Sequence, residues 1–222
     1  MNSIDNAKLV LKTFFLHPTK PKYIREVEKD CELSYERVQH YLKELEREGA
    51  LKAEIKGKIK EYTVNRRNEL ILKVFSLLEM DRRQKFYQKD SRLQVWLQNL
   101  VQELLSNESI KKQINANIVA DIKFILLFGS AARGDAKLES DIDTLIAVKN
   151  KDANFERYIN EIVKKRMDDL TGKKFSMHIV YLEDLEAKWR KEPVYATIWL
   201  DHIVLYGEEN FWRQVLELGE PI

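Results

Sequence analysis

Over the first 65 residues, apolar side chains recur three times at helical spacing and then twice at strand spacing. Ile4, Ala7, Leu11, Phe14 and Phe15 predict a first amphipathic helix. His17-Pro18-Thr19-Lys20-Pro21 ends it, because proline cannot continue a helix. Tyr23, Ile24 and Val27 start a second, short helix that stops near Cys31. Ser34 is placed to cap a third, whose stripe is Val38, Tyr41, Leu42 and Leu45 and whose end is Gly49. Residues 51–55 and 59–64 then read as two strands joined at Lys56-Gly57-Lys58, where Gly57 supplies the backbone freedom of a tight turn.

Residues 66–118 read as helical. Leu70, Ile71, Val74, Leu77 and Leu78 make one apolar face. Leu93, Trp96, Leu97, Leu100, Val101, Leu104 and Leu105 make a second, more regular one. Arg82-Arg83-Gln84-Lys85 lies between them as a hinge or an exposed helical stretch. These faces pack on neighbouring domains or form a homodimer interface, and two-fold DNA sites would favour the dimer.

Beyond them strands and helices alternate. Residues 124–128 form a short apolar run ending in Gly129-Ser130, with a helix starting at Ala131-Ala132. Residues 140–148 read as a second strand and 174–181 as a third, with a helix carrying Phe155, Ile159, Ile162 and Val163 between them. Helices over 185–191 and 194–200, a last strand at 203–207 and a helix through Phe211, Val215 and Leu218 complete the chain.

Composition narrows the class. The 222 residues are 44% hydrophobic and 33% charged, enough for packed cores and room for more than one domain. The longest apolar run is far short of the roughly 20 residues a membrane helix needs. The start, Met1-Asn2-Ser3-Ile4-Asp5, carries no signal-peptide pattern. A lone Cys31 cannot form an internal disulfide. The expectation is a soluble cytoplasmic protein with no membrane partner. The net charge of +2 hides an asymmetry, since the first 90 residues are basic on balance and the remainder slightly acidic. A mildly basic first half permits a polyanion partner without requiring one.

The run from Leu33 to Leu51, with Ser34, Val38, Leu42, Leu45, Gly49 and Leu51 at their spacing, resembles the winged helix–turn–helix family over about the first 65 residues. The resemblance implies DNA binding, with the second helix of the motif in the major groove and the hairpin on the backbone. Gln39, His40, Lys43 and Arg47 would then face DNA, and Lys56, Lys58 and Lys60 would meet phosphates. The alternative is the same fold used for protein contacts, since Glu36, Glu44, Glu46 and Glu48 dilute the positive charge.

Chemistry concentrates between Phe124 and Val148. A Gly-Ser turn between strand and helix exposes backbone N–H groups suited to phosphate. Asp141 and Asp143, two apart on a strand, share a face. Two adjacent carboxylates repel, and a divalent cation such as Mg²⁺ resolves that while taking substrate phosphates as further ligands. The string Gly129-Ser130-Ala131-Ala132-Arg133-Gly134, followed by Glu139-Ser140-Asp141-Ile142-Asp143, resembles the polymerase-beta-like nucleotidyltransferases, in particular their minimal branch. The resemblance covers about residues 115–207. It implies an NTP held at Gly129, Ser130 and Arg133, Mg²⁺ or Mn²⁺ on Asp141 and Asp143, and transfer of a nucleoside monophosphate to a hydroxyl with release of pyrophosphate.

The family has a third carboxylate on a later strand. Here the best register puts His178 in that place, with Ser176 and Val180 on its face. Histidine is a poor Mg²⁺ ligand. It can accept a proton from an attacking hydroxyl, since a free imidazole titrates near about 6.5. The expected architecture is therefore α+β. It has a winged helix–turn–helix at 1–65, a helical connector at 66–114 and a nucleotidyltransferase α/β fold with a small mixed sheet at 115–222. Two readings follow. One is a nucleotidyltransferase with a DNA-binding winged helix and Asp141, Asp143 and His178 as catalytic residues, modifying a hydroxyl acceptor such as a HEPN-type toxin in an antitoxin-like role. The other is a transcriptional regulator whose nucleotidyltransferase domain is catalytically degenerate and only senses nucleotide or mediates contacts.

Overall fold

The computed structural model describes residues 3–106, 121–137 and 139–221. The anticipated boundary between residues 114 and 115 lies outside the described residues, as does the end of the helical stretch anticipated to 118. The chain divides into two compact units: the described residues of Met1–Leu78 with Trp212–Glu220, and those of Glu79–Phe211 with Pro221.

The amino-terminal unit begins with α1 (Ser3–Lys12). Its end tightens into i→i+3 bonds at Thr13, Phe14 and Phe15, so the last apolar residues of the predicted helix sit in a turn. Strand β1 (Lys22–Tyr23), α2 (Ile24–Asp30), α3 (Tyr35–Arg47) and the hairpin β2 (Leu51–Lys56) and β3 (Ile59–Val64) follow. Tyr23 belongs to β1 and not to the second helix: it pairs with Glu61 of β3, and its N–H donates to Glu26 at 3.0 Å to cap α2. The sheet is antiparallel throughout, in the order β1-β3-β2. Val38, Leu42 and Leu45 bury one face of α3. Phe15, Phe75 and Trp212 form an aromatic cluster with centroids 4.8–5.6 Å apart, so the end of the chain completes this core.

Helix α4 (Glu69–Tyr87) is continuous through Arg82–Lys85, so that stretch is helical and no hinge. Arg83 donates to the carbonyl oxygens of Val204 and Leu205 at 3.1 and 2.8 Å, which fixes it. Helix α5 (Ser91–Ser106) follows, with Asp90 accepting from the N–H groups of Arg92 and Leu93 at its start. No described helix is long and apolar enough to cross a membrane.

The second unit is built on a four-stranded mixed sheet in the order β6-β5-β4-β7, the small sheet of mixed α+β architecture that suits a nucleotidyltransferase. Its strands are β4 (Ile122–Phe128), β5 (Ile142–Val148), β6 (Phe175–Tyr181) and β7 (Ile203–Tyr206). β4 pairs antiparallel with β5 and β7, while β5 and β6 run parallel. A parallel pair needs a crossover, and Ala153–Thr171 supplies it as α7 (Ala153–Tyr158), a π turn (Ile159–Val163) and α8 (Lys164–Thr171). This crossover and α5 cover one face, burying Leu97, Leu100, Phe155, Ile159 and Met167 on Ile125, Leu127 and Ile146. On the other side Phe124 meets Phe211 at 5.5 Å, and α9 (Leu182–Lys191) and α10 (Pro193–Asp201) contribute Trp189, Tyr195 and Trp199. Cover on both faces explains why β4 and β5 read as nearly unbroken apolar runs. The last helix is α11 (Glu208–Leu218).

Candidate active site

The strand β4 ends at Phe128, and the backbone turns at Gly129 into α6 (Gly129–Arg133), a single short turn of helix. Gly129 has φ +72°, a left-handed conformation that side-chain-bearing residues rarely adopt. A Cβ here would also stand 2.8 Å from a carboxylate oxygen of Asp143. Glycine is thus required for two independent reasons, backbone conformation and room for the carboxylate. Gly134, also left-handed, ends the helix, and its N–H and that of Asp135 bond back to the Ser130 carbonyl at 3.0 and 3.1 Å.

Asp143 pairs with Phe128 of β4 on one side and with Ser176 of β6 on the other. In this register Asp143, Ser176 and His178 stand on the same sheet face. His178 Nε2 lies 3.1 Å from the Ser176 hydroxyl, and its ring is 5.6 Å from that of Phe128. Asp141 precedes β5. Burial pushes the Asp143 carboxyl above the ordinary carboxylate range. Nearby His178 and a hydrogen bond from the Ser176 hydroxyl pull it down, and Asp141 pushes it up again. The structure therefore brings together Gly129, Asp141, Asp143 and His178, residues separated by up to 49 positions, with Ser176 as a member that sequence reasoning left without a role. The i, i+2 alternation on β6 is the signal that could have found it.

Arg133 is engaged elsewhere. Its guanidinium pairs with Asp201 at 2.8 Å and Asp135 at 3.1 Å, tying α6 to α10. Asp201 lies 68 residues away, and no local pattern pointed to it.

Among the described residues no cluster of three or more His, Cys, Asp or Glu side chains is close enough to hold a metal. The donor set at Asp141 and Asp143 is two hard carboxylates, one of them, Asp143, raised above the ordinary carboxylate range chiefly by burial. That set fits a divalent cation brought with a triphosphate, whose oxygens and water complete the coordination.

On the amino-terminal unit, His40, Lys43 and Arg47 are exposed and Gln39 half-exposed on α3, with Lys56 and Lys58 at the hairpin tip. Several of these cations already have partners. Arg47 pairs with Glu44 at 2.5 Å, Lys56 with Glu61 at 2.7 Å and Lys60 with Glu46 at 2.6 Å. Among the described residues Lys43 and Lys58 make no ion pair.

Residues 108–198 match the family described as Polymerase beta, Nucleotidyltransferase. The chain is also 30% identical over 129 residues to "Putative protein adenylyltransferase MJ1305" of Methanocaldococcus jannaschii, a stretch that covers 57% of this chain and 82% of that protein. No solved structure matches the chain. The sheet with its Gly-Ser turn and paired aspartates, the matched segment and the coverage of this relative agree: the chain belongs to the polymerase beta nucleotidyltransferase family.

Proposed function

We propose that the protein transfers a nucleoside monophosphate from an NTP to a hydroxyl on an acceptor protein, and that its amino-terminal unit is a DNA-binding winged helix. The observation that carries the first part is the close approach of Gly129 to Asp143 beside Asp141 and His178. Burial, with a smaller push from the like-charged Asp141, sets a carboxylate there at a cost to the fold, which is the mark of a site shaped for a ligand. Asp141 and Asp143 would hold a divalent ion, Mg²⁺ or Mn²⁺, which when bound offsets the charge of the triphosphate. Ser130 and the backbone N–H groups at the start of α6, which have no helical partners, face phosphate oxygens. The acceptor oxygen attacks the α-phosphorus, the bond to pyrophosphate breaks, and His178 takes the hydroxyl proton. A protein acceptor and ATP as the donor are supported by the name of the M. jannaschii relative.

The substitution of His178 for a third carboxylate favours a second reading, in which the domain binds nucleotide without transferring it. Incorporation of label from α-labelled ATP, CTP, GTP or UTP, in Mg²⁺ and then Mn²⁺ with candidate acceptor proteins supplied, separates the two. Transfer by the wild type that falls about a hundredfold or more in His178→Ala supports the enzyme. A silent wild type with activity gained in His178→Asp supports the sensor. Silence in all three with no nucleotide bound overturns both.

The winged-helix part rests on α2 and α3 followed by a basic-tipped hairpin. DNA binding by this unit requires several of its ion pairs to be exchanged for phosphate contacts, so it is expected to be weak and strongly salt-dependent. Gel shifts at low salt on the DNA upstream of its own coding sequence test it, and absence of a complex contradicts it.

A further inference from the structure

A cleft of about 500 Å³ opens on the opposite side of the sheet from Asp143 and His178. Ala131 and Ile142, which line it, belong to the core between the sheet and α5, whereas Asp143 faces the other way. Four cations converge on it from three separate segments: Lys89 and Arg92 around the start of α5, Lys137 in the loop after α6, and Lys173 before β6. A single carboxylate lines it, Asp90, and one of its oxygens is already committed to the N–H groups of Arg92 and Leu93. Among the described residues Lys89, Arg92 and Lys137 make no ion pair. This gathering of cations at one cleft stands out in a chain whose cations and anions are nearly equal in number. Cations gathered around a single carboxylate repel one another unless an anion joins them.

The half-buried Trp96 also lines the cleft and supplies an aromatic surface. Cations that meet phosphates beside an indole that meets a base are the two components of nucleotide and single-strand recognition. The volume suits a ligand of nucleotide size. We infer that this cleft is a second binding site, for a phosphate-bearing ligand with an aromatic base, separate from the NTP site. Ser140 and Ile142, both in its wall, flank Asp141, so a ligand here rests against the backbone that presents Asp141. The loop is already closed on itself, with the Lys137 N–H donating to Ser140 Oγ at 2.9 Å and Lys173 Nζ to the Lys137 carbonyl at 3.4 Å.

The test is fluorescence anisotropy of a labelled short oligouridylate on the full chain, without divalent cation. Wild type should bind, and Arg92→Glu with Lys137→Glu should weaken binding roughly tenfold or more. Asp141→Asn with Asp143→Asn, which removes two negative charges, should not weaken binding, and this separates the cleft from the NTP site. Both substituted cations are exposed, and a melting curve checks that the variant folds; if it does not, Arg92→Ala with Lys137→Ala should give a smaller loss in the same direction. Release of the oligonucleotide by AMP identifies a free nucleotide as sufficient, and failure of AMP to compete identifies the extended strand. No binding by wild type, or equal binding by the folded cleft variants, overturns the inference.

Discussion

In the amino-terminal unit, cations of α3 and the hairpin stand beside carboxylates of the same unit: Arg47 by Glu44, Lys60 by Glu46, Lys56 by Glu61. In the second unit, Asp143 stands beside Asp141, and among the described residues neither has a Lys or Arg partner. The first arrangement is what an ordinary solvated surface adopts, and each such pair contributes little. The second raises the energy of the folded state, and burial and the like-charged neighbour both hold the Asp143 carboxyl above its usual range. Charge that neutralises itself says little about function, whereas charge set against itself marks a site. The family assignment falls on the unit of the second kind.

The largest test of this contrast is at Gly129. Gly129→Ala adds a Cβ to a left-handed residue and drives it against Asp143. Nucleotide transfer should fall about a hundredfold, from roughly 1 Å of displacement at the carboxylate. Unaltered transfer would mean that this turn does not shape the site.

A smaller effect separates paired from unpaired cations in the first unit. Lys43→Ala with Lys58→Ala should weaken DNA binding about tenfold and flatten its salt dependence by about two contacts. Arg47→Ala with Lys56→Ala should cost less, about threefold, because Glu44 and Glu61 already compete for those side chains. Equal losses in gel shifts would show that the ion pairs do not matter to DNA.

The smallest effect is on stability. A carboxyl whose folded value is raised binds more protons folded than unfolded, so the fold loses stability as pH rises above the usual carboxylate range. Asp143→Asn removes that loss. The variant should melt above wild type at neutral pH, with the gap shrinking as pH falls below the carboxylate range. A neutral-pH variant that melts lower would contradict the like-charge account.

What was legible in the sequence was local. Gly129, Ser130, Asp141 and Asp143 lie within fifteen residues around one strand–turn–helix–strand passage, where backbone conformation and alternation dictate the arrangement. The place of His178 could be read because strand alternation carries Ser176 and His178 to one face. Pairing across long separations could not be read: Arg133 with Asp201, Arg83 with the carbonyls of β7, or Trp212 with Phe15 and Phe75. Tyr23 was misplaced because an apolar residue beside Ile24 and Val27 fits a helix as well as a strand, and its pairing with Glu61 decides between them. The stretch Arg82–Lys85 reads in sequence as a hinge or an exposed helix, and it is helical, with Arg83 anchored by backbone carbonyls that only the fold brings near.

The central claim is that Asp141 and Asp143 are set against each other in order to hold a metal–nucleotide. Calorimetric titration of ATP with Mg²⁺ into wild type and into Asp141→Asn with Asp143→Asn tests it most directly, with a melting curve to confirm that the variant is folded. The account predicts binding by wild type that requires Mg²⁺ and is lost in the folded variant. Unchanged Mg-dependent affinity in that variant would contradict it.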